Sequence, residues 1–162
     1  MNLKVALLLL VFLAAPVAGQ QLKTRDFTHV SITMKAHGGP SNRVLPTYSV
    51  SVDEKGTVIY SGVRDVKVRG EKVHSIPVGV VRDLEAEFFR IDFFSLQGWY
   101  TFKKLPNGLS ETIDHANGTT ISIDVDGKSK KVYIFYGAPP ELIELQHKLY
   151  EAAQIAQYVG RS

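Results

Sequence analysis

The stretch TYSVSVDEKGTVIYSG (residues 47–62) sets the class of the fold. Tyr48, Val50 and Val52 alternate with Ser49 and Ser51, so one side of the strand is apolar and the other carries hydroxyls. Successive side chains of a strand point to opposite faces, so this pattern suits a sheet with one face in a core and one toward water. DEKG supplies the turn residues and TVIYS brings the chain back. Strands joined by so short a turn are antiparallel.

Working outward, FTHVSITMK places Val30, Ile32 and Met34 on one face and His29, Ser31 and Thr33 on the other, a second half-buried strand. AHGGPSNRVLP (residues 36–46) breaks the alternation with two glycines and two prolines and reads as a loop. VKVRGEKVHSI predicts a further strand pair, with Val66 and Val68 inward, Lys67 and Arg69 outward and a bend at Gly70. The period then changes. Val81, Leu84, Phe88 and Ile91 are spaced as one helix face, and Pro77 suits a first turn. Residues 92–118 hold no sustained period but carry Phe93, Phe94, Leu96, Trp99 and Phe102, so they are expected to lie across an edge of the core. Alternation returns with Ile121, Ile123 and Val125 against Thr120, Ser122 and Asp124; Asp126-Gly127 turns the chain and KSKKVYIFY comes back.

FYGAPPELIELQ (residues 135–146) takes that strand into the last helix. Pro139 and Pro140 preset a helical turn and remove two N–H groups, so Gly137 and Ala138 form a corner, not a phosphate cradle. Leu142, Leu145, Leu149, Ala152, Ala156 and Val159 make one apolar stripe over about five turns. The order predicts a single α+β domain over residues 27–160: two layers, a mainly antiparallel sheet with two helices on one face. The other face would present Ser31, Thr33, Ser49, Ser51, Ser122 and several lysines to water.

Residues 1–19 differ from the rest. One lysine, an unbroken apolar run and a small-residue end follow the order of a secretory signal, too short for a span of ~17–25 residues. Residues 20–26 form a polar lead. The expectation is an exported protein, periplasmic or extracellular, with no membrane span after cleavage. Of 19 basic and 16 acidic residues, one lysine lies in the leader, leaving +2, too little to argue for a nucleic-acid partner. The chain has no cysteine, which excludes thiol catalysis, zinc-thiolate sites, iron–sulfur clusters and bacterial lipoprotein-type lipidation.

The Tyr48-x-Val50-x-Val52 strand, Gly56-x-Val58-x-Tyr60-x-Gly62, the Phe93–Phe94 pair, Asp114 and Pro139–Pro140 occur in an order that resembles an exported bacterial family catalogued only as a domain of unknown function. The resemblance spans residues 27–159. It implies export and this order of elements, and it brings no activity. That family often carries Cys-x-Gly-x-Cys-Pro before the first Tyr-x-Val; here the loop holds His37, Gly38 and Gly39 instead.

The motifs name few candidates. Asp114–His115 is the one adjacent acid–base pair, but neighbours in sequence rarely share a target. There is no Gly-x-Ser-x-Gly elbow. DVDG lacks the later ligands of a calcium loop and reads as a hairpin turn. Glu85, Glu87, Glu111 and Asp114 could pair in space, yet solvation is the default for such residues. Asn117 opens a glycosylation sequon that reads better as a turn. GWYTF offers aromatic faces suited to sugars or peptides, although Trp99 and Phe102 would ordinarily cap the core's edge. Lys67, Arg69, Lys72, Lys128, Lys130 and Lys131 are candidates for a patch on the open sheet face. No catalytic residue, metal ligand or cofactor is assigned. The ligand-binding candidates are Trp99, Tyr100 and His115. The expected function is non-catalytic binding of a protein or cell-envelope component, through the open face or the aromatic loop. The alternatives are a small hydrolase near Asp114 and His115, and glycan binding through Trp99 and Tyr100.

Overall fold

The computed structural model describes residues 28–38, 45–113 and 118–160. The leader, the polar lead, most of the 36–46 loop, Asp114, His115 and Asn117 lie outside the described residues. The elements run β1 (Val30–His37), β2 (Thr47–Asp53), β3 (Thr57–Arg64), β4 (Gly70–Ser75), α1 (Val78–Arg90), a 3-10 turn (Phe93–Ser95), β5 (Trp99–Thr101), β6 (Lys103–Lys104), β7 (Ser110–Glu111), β8 (Gly118–Val125), β9 (Lys128–Tyr136), α2 (Pro140–Ala152) and α3 (Ala156–Val159). Seven strands form one sheet in the order β4-β3-β2-β1-β8-β9-β5; β6 and β7 form a separate small hairpin.

The fold is two-layer α+β, as the alternation requires. All pairs of the main sheet are antiparallel except β5 with β9. Ile32, Met34, Val52, Tyr60, Ile121 and Ile123 point to one face and are at most 2% exposed. Phe88 of α1 and Leu142, Leu145 and Leu149 of α2 cover them. Four fully buried side chains of this size contribute roughly 1.5–3 kcal/mol each, so the helices are held by their stripes rather than by caps. Neither helix has a side-chain N-cap bond; a proline stands at the N-cap of each.

Three local expectations change. Val66 and Val68 do not form a strand. The Lys67 and Val68 N–H groups instead donate to the Val159 and Tyr158 carbonyls at 3.2 and 2.9 Å, so only Gly70–Ser75 pairs with β3. The last apolar stripe is not one helix. Its α-helical run stops at Ala152, Gln154 takes φ 51°, and Ala153 and Ile155 are buried where the stripe had proposed Ala152 and Ala156. The break sends Ile155 into the core and stacks the Tyr158 ring on Tyr60 at 4.7 Å. The 92–118 segment does lie at an edge, but by adding β5 as a parallel strand, with the Tyr133 N–H bonded to the Gly98 carbonyl at 2.9 Å.

Candidate functional site

The open face of the sheet is built by the residues that alternate with the core. Register places Trp99 (β5), Tyr133 (β9), Thr120 (β8), Lys35 (β1), Ser49 (β2) and Ser61 (β3) in one row across the strands. The next row runs Lys131, Ser122, Thr33, Ser51 and Ile59. Its middle is therefore short hydroxyl side chains, half-buried by one another, giving a flat surface dense in donors and acceptors. One end is aromatic.

That end has a defined geometry. Trp99 is 66% exposed, so it does not cap the core, and Phe102 is 44% exposed. Both therefore correct the capping role expected of them: β5 is too peripheral in the sheet for its outward side chain to meet the helices. Tyr133 lies beside Trp99 on the neighbouring strand and meets His37 edge-on at 6.1 Å. His37 Nε2 is 2.9 Å from the Thr120 hydroxyl. The tip of Tyr133 rests on Gly118, where an added Cβ would come within 2.7 Å of ring atoms Cε2 and Cζ. Glycine at 118 thus lets the phenol lie down along the sheet.

Tyr100 alternates with Trp99 and falls on the other face, where it is half-buried against the core. The sequence grouped Trp99 with Tyr100, and the structure separates them. Trp99 instead neighbours Tyr133, which in turn meets His37, and no local motif links the three. The signal for them was the strand alternation of KSKKVYIFY and of β1, but it needed the pairing register to bring them together. The expected basic patch also divides. Of its six members Lys131 is on the open face by register, whereas Lys72, Lys128 and Lys130 alternate onto the core side. Lys128 there caps the Phe94 ring at 4.4 Å. Lys35 joins Lys131 on the open face.

Other places carry less chemistry. A cavity of about 300 Å³ lies between α1 and α2, but Lys148 bridges its acidic sides, bonding Glu87 and Glu144 at 3.1 Å each. Glu85 is 9% exposed and its carboxyl is pushed up by burial, partly opposed by Arg82 and reinforced by Asp126. Tyr48 is pushed up by burial and then by Tyr150 and Tyr60. His74 accepts from or donates to the Tyr158 hydroxyl through Nδ1 at 3.1 Å, and its Nε2 is buried without a partner among the described residues. This ring cluster closes the β3–β4 end of the core. Among the described residues no three His, Asp or Glu side chains converge as metal ligands.

The family model for the domain of unknown function DUF6438 matches residues 45–153, more than half of the chain. The chain belongs to the DUF6438 family. Its matched span covers β2 through α2, and so includes Trp99, Tyr133 and Lys131 but not β1 with Lys35 and His37. No curated protein matches the chain.

Proposed function

We infer that this DUF6438 protein is an exported, non-catalytic binding domain that engages a cell-envelope component through the open face of its sheet, at the Trp99 end. The observation that carries this reading is the 66% exposure of Trp99 beside Tyr133, which in turn meets His37, on a hydroxyl-lined sheet face. A tryptophan left in water on a rigid sheet retains a large apolar area for a partner to cover. The order of the leader supports export. The hydrolase alternative needs Asp114 and His115, which lie outside the described residues, and no observation favours it.

The test is co-sedimentation of the purified protein with washed cell-envelope material. Wild type should pellet, Trp99→Ala should stay largely in the supernatant, and Glu144→Ala on the helical layer should behave as wild type. Equal pelleting of Trp99→Ala and wild type would overturn the reading.

A further inference from the structure

We propose that the Trp99 end of the open face binds an acidic polysaccharide, a chain of sugar rings bearing carboxylates. This rests on the reading above and adds the chemical class of the ligand. Two observations combine. The first is the exposed indole of Trp99 with Tyr133 in register on the adjacent strand, their backbones about 5 Å apart. Indole and phenol faces cover the C–H face of a sugar ring while leaving its hydroxyls free for Thr120 and Ser122.

The second is the charge that surrounds the rings. Lys131 lies two residues along β9 from Tyr133 on the same face, about 7 Å away. Lys35 lies two strands over in the Tyr133 row, about 10 Å away. Both are exposed, and neither makes an ion pair among the described residues. Asp124, near Lys131 by register, accepts the Gly127 N–H at 3.1 Å and makes no ion pair with either lysine among the described residues. Glu71 stands at the opposite end of the row, on β4. Unpaired cations flanking an exposed indole fit a ligand with both sugar faces and repeated negative charge. A neutral glycan would leave the lysines unused, and a simple polyanion would leave the rings unused.

The experiment is affinity electrophoresis of the full protein in gels containing polygalacturonate, hyaluronate or alginate. Controls are fully methyl-esterified polygalacturonate, polyglutamate and anionic phospholipid vesicles. Retardation is expected in at least one acidic polysaccharide and in none of the controls. Lys35→Ala/Lys131→Ala should weaken it roughly tenfold, and Trp99→Ala at least about tenfold. Both variants change exposed residues, and a thermal melt at the wild-type value excludes misfolding. Retardation by the esterified polymer equal to that by the acid form overturns the charge inference while the Trp99 reading survives. Equal retardation by polyglutamate or vesicles, insensitive to Trp99→Ala, overturns it as bulk electrostatics. Retardation by none of the three polysaccharides overturns the ligand class, and the envelope co-sedimentation then decides the broader reading by itself.

Discussion

Replacing Gly137 with alanine should be much more damaging than the same change at Gly127, although both glycines have left-handed backbones, φ 77° and 84°. An L side chain in that region costs about 1–2 kcal/mol, and both variants carry this cost. They differ in surroundings. A Cβ at 127 meets nothing within 4 Å, whereas one at 137 lies 2.7 Å from the Phe102 carbonyl carbon and 2.9 Å from Lys103 Cα. These are backbone atoms and cannot rotate away. Overpacking of this kind adds about 1–3 kcal/mol, so Gly137→Ala should lose about 2–5 kcal/mol in total. Urea unfolding followed by far-UV circular dichroism measures both variants. Phe102 and Lys103 follow β5, so Gly137→Ala should also loosen the bond from the Tyr133 N–H to Gly98 and speed exchange of that amide. Equal losses in the two variants, with unchanged exchange at Tyr133, would refute the idea that the corner before α2 seats the β5–β6 connection.

Other consequences follow from single groups. Burial raises the Glu85 carboxyl above its ordinary 4.5, so the folded state takes up a proton that the unfolded state has lost; wild-type stability then falls as pH rises through that window. Glu85→Gln should therefore raise Tm at pH 7, with the gain vanishing below about pH 4; a constant gain at all pH values would argue against it. Tyr158→Phe keeps the stack on Tyr60 but leaves His74 with neither nitrogen bonded, and should cost about 1–2 kcal/mol in chemical denaturation. Gly118→Ala should swing Tyr133 off the sheet at a cost under about 1 kcal/mol, since the phenol can move into solvent. The His37 ring protons should lose their aromatic ring-current shift, and unchanged shifts would show that the phenol does not rest on Gly118.

How much the sequence disclosed depended on whether a feature is local. The β2–β3 and β8–β9 hairpins were legible because alternation and turn chemistry lie within about twenty residues, and the helix faces because their spacing is regular. β5 was not legible. Three residues are too few to establish a period, and its partner β9 lies more than thirty positions away. The end of α2 was misread for a related reason: Ala152 and Ala156 continue a helical spacing, but the tertiary demand to bury Ile155 overrides it. The segment Val66–Arg69 alternates like a strand, yet its N–H groups are taken by the carbonyls at the end of α3.

The same limit governed the site. Trp99 could be picked out from composition, since it is the single tryptophan and sits in an aromatic run. Its neighbours could not. Tyr100, adjacent in sequence, is sent to the opposite face by the pleat, while Tyr133, remote in sequence, is brought beside it by the β5–β9 register, and His37 is brought against Tyr133 by the registers of β9 with β8 and β8 with β1. An exposed surface leaves no hydrophobic period of its own; it is whatever the core-forming pattern leaves over. Once the buried members of β1, β8 and β9 are fixed, the residues between them are forced onto one flat face. Lys35 and His37 flank Ala36, and Lys131 and Tyr133 flank Val132. The cations and rings are therefore held at strand spacings by the core itself. A change that slips β9 by one residue would turn Tyr133 and Lys131 inward and abolish the face along with the fold.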